Sequence, residues 1–147
     1  MITNDTEVIF SAWGKAQKSC RLIRETVFFD EQKVPPFLEW DHMDEASTHI
    51  ILIHKTNHIG CARIYYEENY IRLERMAVYK VYRRLGFGSF LIKQIISHMK
   101  KNHIYQIVIS AQATAIPFYL KHGFLQSGDT YMDANIKHQR MTLNISE

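Results

Sequence analysis

Residues 73–89 read LERMAVYKVYRRLGFGS, and this stretch decides the fold. Leu73 to Val78 has the mixed apolar and polar character of a half-buried strand. A short basic turn follows, and Gly86-Phe87-Gly88 then opens a run in which Phe87, Phe90, Leu91, Ile95 and Met99 recur at three- and four-residue intervals. That spacing predicts an amphipathic helix from Gly86 to Lys101. The first turn of a helix has main-chain N–H groups without partners and carries the positive end of the helix dipole. Glycines there let a phosphate approach the main chain, and Arg83 and Arg84 add charge beside it. The pattern R-x-x-G-x-G arises easily by chance, so a helix start whose glycines merely allow a tight turn accounts for these residues equally well. Two standard phosphate loops are excluded. Gly88-Ser89-Phe90 lacks the lysine of a Walker motif, and Leu91 stands where the dinucleotide fingerprint needs its third glycine.

Upstream of this stretch, Thr48–His54, His58–Tyr66 and Tyr70–Tyr79 read as strands joined by short polar gaps, as antiparallel hairpins require. Farther back, Glu7–Trp13 reads as a first strand closed by Gly14. Lys15–Phe29 reads as a helix with Leu22, Ile23, Val27 and Phe28 at helical spacing. Asp30–Ser47 contains Pro35-Pro36 and has no clean period, which predicts an irregular segment with at most a short turn of helix. Downstream, Ile104–Ser110 reads as a buried strand, and Thr114–His122 as a short helix stopped by Gly123. Phe124–Tyr131 and His138–Ile145 complete the chain as strands. Hairpins in the middle with one late strand–helix–strand crossover define an α/β chain of α+β type and argue against a doubly wound sheet.

The chain has 147 residues, the size of a single domain spanning 1–147. Its 46% hydrophobic and 22% charged residues are those of a globular protein. A net charge of +3 excludes a supercharged nucleic-acid arm. Cys20 and Cys61 lie far apart with no C-x-x-C spacing, so neither a disulfide framework nor a zinc site is expected. Met1 to Phe10 shows no leader pattern, which points to a reduced, cytoplasmic compartment. The longest aliphatic run, Ile50–Ile53, is too short to span a bilayer. His54 and His58 have a zinc-like spacing but bracket a turn with no third ligand, so no metal is expected. Lys and Arg form no long stripe interleaved with aromatics, so neither nucleic acid nor membrane is expected as a partner.

Three sets of residues occur in one order: Leu73-Glu74-Arg75-Met76-Ala77-Val78, then Arg83-x-x-Gly86-x-Gly88, then Ala115-x-x-Phe118-Tyr119-x-x-His122-Gly123-Phe124. In this the chain resembles the GCN5-related N-acetyltransferase (GNAT) superfamily. Arg24-Glu25-x-Val27-Phe28-x-x-Glu31-Gln32-x-Val34-Pro35 and Gly128-Asp129-x-Tyr131-x-Asp133-Ala134-x-Ile136-x-His138 make it similar to the bacterial ElaA-like branch. The resemblance implies a GNAT fold: a mixed, mostly antiparallel sheet of six to seven strands flanked by about four helices. It implies acetyl-coenzyme A as co-substrate, an amine acceptor (small molecule, amino sugar or peptide) and direct transfer in a ternary complex. A non-catalytic acetyl-coenzyme A-binding module acting through a protein partner is the alternative.

By the same resemblance, the strand Met76, Ala77 and Val78 would pair with the pantetheine arm. The amides of Arg84, Leu85, Gly86, Phe87, Gly88 and Ser89, with Arg83 beside them, would hold the pyrophosphate. Gln112 stands where many relatives have an asparagine that contacts the cofactor. Tyr119 is the expected acid, because a phenol can donate to the leaving sulfur, whose free thiol has a pKa near ~8.5. Glu74 is the candidate base, directly or through a water, although it is equally suited to pair with Arg63, Arg72 or Arg75. His138 and Asp133 are the other options. The acidic members of Asp30–Glu45, Asp41 and Asp44 among them, offer to attract a cationic amine. An exposed strand edge near the C-terminus is compatible with a homodimer.

Overall fold

A computed structural model of the chain describes residues 4–147. The first three residues of the Met1–Phe10 stretch, read above as free of a leader pattern, lie outside the described residues. Among the described residues, eight strands form one sheet: β1 (Thr6–Ala12), β2 (Thr48–His54), β3 (Asn57–Tyr66), β4 (Ile71–Val78), β5 (Gln106–Gln112), β6 (Leu125–Gln126), β7 (Tyr131–Asp133) and β8 (Ile136–Asn144). The sheet order is β1-β2-β3-β4-β5-β8-β6, with β7 also paired to β8. Every pairing is antiparallel except β4 with β5. Four α-helices accompany it: α1 (Trp13–Arg24), α2 (Pro36–Glu39), α3 (Phe87–Lys101) and α4 (Ile116–Lys121).

The sheet therefore exceeds the six to seven strands expected. The single run Phe124–Tyr131 divides into β6 and the start of β7, because Gly128, at φ +73°, turns the chain between them. The helix expected over Lys15–Phe29 begins at Trp13, and after Arg24 it widens into a π-helical turn, Glu25–Glu31. The Gln32 N–H reaches back five residues to the Val27 carbonyl at 3.0 Å. Leu22, expected on the buried face, is exposed; Ala16, Cys20, Ile23 and Val27 line that face instead, at three- and four-residue steps.

Two cores flank the sheet. On one face Leu91, Ile92, Ile95 and Met99 of α3 pack against Ile50, Ile64, Leu73, Ile107, Ile109 and Met141. On the other, Trp13, Ala16, Cys20 and Ile23 of α1 cover Ile51, Ile53, Cys61 and Ala77. Helix α1 stops short of β5 and β8, and this is where the face opens.

Candidate active site

Strands β4 and β5 pair only from Ile71 with Ile107 to Leu73 with Ile109. Beyond that point β4 stays on β3 while its other edge opens into a cleft of about 390 Å³. A β-bulge bends β4 there. Cys61 is opposite Ala77 and Arg63 is opposite Glu74, so Arg75 and Met76 together face the single residue Ala62. Arg75 takes a left-handed conformation, φ +52°, which costs a residue with a Cβ roughly 1–2 kcal/mol. Its guanidinium offsets that cost. Nε lies 3.0 Å from Glu39 Oε2, and Nη2 donates to Asp41 Oδ2 at 3.1 Å and to the Leu38 and Glu39 carbonyls. The bulge leaves the main chain of Met76–Val78 without a β5 partner along the cleft.

Seven of the residues expected from sequence line this cleft: Glu74, Met76, Ala77, Val78, Arg83, Gln112 and Tyr119. The Tyr119 hydroxyl donates to Met76 Sδ at 3.6 Å, and its ring packs edge-on against Phe118 and Phe124. Burial pushes the Tyr119 phenol up to about 12. Glu74 Oε1 sits 3.2 Å from Arg63 Nη2, an ion pair that leaves this oxygen without a hydrogen bond among the described residues. His138 is buried at the cleft wall, stacked on Tyr131. His138 Nδ1 lies 2.7 Å from the Ile136 carbonyl, which can only accept, so Nδ1 carries the hydrogen. In the neutral ring this makes Nε2 an acceptor. Asp133 also lines the cleft.

Two contacts join the cleft to the segment after α1. Gln112 Nε2 donates to Gln32 Oε1 at 2.7 Å, and Arg83 donates to both Glu31 oxygens at 2.5 and 2.8 Å. Arg83 Nε also donates to the Val78 carbonyl at 2.9 Å. Arg83 is thus held by protein groups on every side, whereas the exposed Arg84 has no acidic partner among the described residues.

The remaining expected residues, Arg84 to Ser89, form the turn into α3 next to the cleft and do not line it. Arg84 and Gly86 both have positive φ, +63° and +92°. A Cβ at Gly88 would lie 3.2 Å from the Phe118 ring, so the glycine lets α4 approach α3. The Phe87 side chain is buried against His54 and Tyr82, leaving only its main chain toward the turn. Ser89 Oγ is hydrogen-bonded to His122 Nε2 at 2.9 Å.

The acids of the Asp30–Glu45 segment have a use the sequence did not reveal. Arg24 Nε meets Glu39 Oε2 and Arg24 Nη1 meets Asp44 Oδ1, both at 2.7 Å. Arg63 meets Asp41 at 2.8 Å and Asp44 at 3.1 Å. Arg24 and Arg63 are almost wholly buried. Glu39, Asp41 and Asp44 are therefore neutralised by arginines of the protein itself, which replaces the expected attraction of Asp41 and Asp44 for a cationic amine. Ser110 and Arg140 have no role assigned from the sequence, and Tyr131 enters there only within the ElaA-like stretch. They line a second cavity that shares Leu73, Glu74, Ile109 and Ser110 with the cleft. The available signal was a serine at the end of the otherwise apolar run Ile107–Ile109.

The splayed β4 and β5 and the glycine turn into α3 define an acyltransferase architecture. The sequence matches the family described as "Acetyltransferase (GNAT) domain" over residues 17–145, and the chain belongs to that family of N-acetyltransferases. It is 33% identical over 125 residues to the uncharacterized N-acetyltransferase YjcF of Bacillus subtilis (strain 168), covering 84% of this chain and 89% of that one. Its fold matches the crystal structure of a Lactobacillus plantarum protein, with a TM-score of 0.90 at 21% identity over 97% of this chain and 100% of the other. It also matches Escherichia coli ElaA, with a TM-score of 0.83 at 19% identity over 95% of this chain and 99% of the other. The homologue's name and the family match favour an enzyme over a binding module.

Proposed function

We propose that this chain, a single acetyltransferase domain over residues 1–147, transfers an acetyl group from acetyl-coenzyme A to an amine by direct attack within a ternary complex. The observation that carries this reading is the β4 edge at Met76–Val78, which has no β5 partner and borders a cleft that also holds Tyr119 and Glu74, its Val78 carbonyl accepting from Arg83 Nε. A thioester arm fits there as an added strand, with main-chain groups of Met76, Ala77 and Val78 as its partners. An N–H of this strand would hold the oxyanion that develops as the amine attacks. The amides of Arg84, Leu85, Gly86, Phe87, Gly88 and Ser89 would face the pyrophosphate, with the exposed Arg84 guanidinium beside them. Arg83, tied to Glu31 and Val78, would frame the same end of the cleft. The Gln112 amide would reach the cofactor from β5 by exchanging its bond to Gln32.

In the transfer a C–N bond forms, the C–S bond breaks and the sulfur leaves as a thiolate. Glu74 would take the proton of the attacking amine, directly or through a water, and Tyr119 would donate to the departing sulfur. Two free, buried cysteines accord with a reducing, cytoplasmic setting. Calorimetric titration with acetyl-coenzyme A, followed by a thiol-release assay over a panel of amines, tests the proposal. Saturable binding and release with at least one amine are expected. Absence of binding, or binding with no release from any amine, overturns it.

A further inference from the structure

Beside the cleft, on the part of the sheet that α1 leaves open, lies a second cavity of about 350 Å³. Its floor is Val108 with the main chain at Leu73 and Ile109, whose side chains pack on the α3 face, and its polar walls are Arg72, Glu74, Ser110, Tyr131 and Arg140. Register puts the decisive groups on one face. Ser110 is directly opposite Arg140, and Arg72 is level with Val108, which places Glu74 level with Ser110 as β4 begins to diverge. Glu74 and Arg140 thus flank β5 from either side, about 10 Å apart at two strand spacings.

The charges in this cavity are unequally satisfied. Arg72 pairs with Glu67 at 3.3 Å and stacks on Tyr65, although its Nε, like Glu74 Oε1, makes no hydrogen bond among the described residues. Glu74 is offset by Arg63 through a buried Oε1, while part of its side chain stays exposed. Arg140, on the far wall, has no acidic partner among the described residues. Near it the Ser110 and Tyr131 hydroxyls are hydrogen-bonded to each other. His138 lines the adjoining cleft, its Nδ1 bonded to the Ile136 carbonyl. The arrangement therefore places the Glu74 carboxylate, offset by Arg63, at the cleft end and the exposed Arg140, with no acidic partner among the described residues, at the other, with Val108 between them. Its complement is a molecule with an ammonium group at one end and an acid group a few bonds away.

From this complementarity we infer that the cavity is an acceptor subsite for amines that carry a carboxylate, α-amino acids being the simplest. Arg140 would hold the carboxylate, supported by the Ser110 and Tyr131 hydroxyls, and the amine would lie against Glu74 toward the cleft. This rests on the acetyl-transfer reading for its purpose, but the binding itself can be measured separately. An internal peptide amine, or a neutral amine, would leave Arg140 unpaired.

The test uses the full chain, the common α-amino acids and their carboxamides. In calorimetry without co-substrate, at least one amino acid should bind about tenfold or more tightly than its carboxamide, since a charge-assisted bond is lost in the amide. In the thiol-release assay the same preference should appear in kcat/KM. Arg140→Gln should bring the acid-to-amide ratio close to one in both measurements, and Arg140→Lys should retain part of it. Equal binding of acid and amide, no binding of any amino acid, or a ratio unchanged in Arg140→Gln would overturn the inference. Failure of acetyl-coenzyme A to bind counts against the transfer reading alone, because the amino-acid titration stands without it.

Discussion

At Tyr119 burial acts on the phenol in one direction: it raises the pKa to about 12 and so keeps the proton on oxygen at any physiological pH. A free thiol, near ~8.5, is a much stronger acid, so complete transfer from tyrosine to thiolate would run uphill. The contribution this residue can make is a directed hydrogen bond to sulfur while negative charge builds there. The Met76 thioether, 3.6 Å from the hydroxyl, shows that a sulfur atom fits within its reach. Tyr119→Phe should lower kcat by roughly 10²-fold, the lower end of the range for a positioned proton donor, with acetyl-coenzyme A affinity little changed. The sign of the pKa shift adds a second expectation. Because the protonated form is the working one and persists to about 12, ionisation of Tyr119 cannot cause a fall in rate between pH 8 and 10. A pH–rate profile of wild type and variant checks this; equal kcat values in the two proteins would remove Tyr119 from the chemistry.

Strand β4 bends where Arg75 adopts a conformation unfavourable to a side chain, and the same side chain holds the bend by reaching Glu39, Asp41 and two carbonyls. Arg75→Ala removes the clamp and keeps the strain, so it should destabilise the protein by about 2 kcal/mol, below the range for a fully buried pair because Arg75 is partly exposed. Acetyl-coenzyme A affinity should fall with it, since the free edge of Met76–Val78 depends on the bend. Urea unfolding together with calorimetry checks both; reduced stability with unchanged affinity would separate the clamp from the cleft. The strand, turn and helix around this point were readable because each has a local signature, alternation in β4 and a three- and four-residue period in α3. The clamp was not readable. Arg75 meets Asp41 across 34 residues and Gln112 meets Gln32 across 80, and no periodicity records such pairs. The exposure of Leu22 escaped for a related reason: a neighbour of Ile23 on a helix lies about a quarter-turn away, and only the packed sheet decides which of the two it buries. Among the expected site residues, the motif located the turn at Arg84–Ser89, but the pairing of Arg83 with Glu31 depended on where the π-helical turn after α1 came to rest.

Across the whole molecule, one ionic cluster fastens the segment between α1 and β2 to the sheet. Arg24 from α1, Arg63 from β3 and Arg75 from β4 converge on Glu39, Asp41 and Asp44. That segment also forms the roof of the cleft, through Gln32, Val34, Leu38 and Glu39, so the cluster holds the site closed on that side. For Asp41 burial by itself would raise the carboxyl pKa. The hydrogen bond and charge of Arg63 outweigh it, with help from the Met43 N–H and Arg75, and bring the value to about 2 from an ordinary 3.8. Asp44 is lowered as well, its burial outweighed by Arg24 and Arg63, and Glu31 is lowered by Arg83. A carboxylate whose folded pKa lies below its unfolded one stabilises the fold fully above the unfolded value and loses that stabilisation as pH falls toward the folded value. The urea midpoint should therefore hold through neutral pH and decline from about pH 4 to pH 2, with Asp41 alone accounting for about 2 kcal/mol. Asp41→Asn should lower the midpoint at pH 7 and make the acid decline shallower, because one of the titrating groups is gone. Chemical denaturation at a series of pH values decides the point: an acid limb equally steep in Asp41→Asn would mean that the cluster does not hold this segment through Asp41.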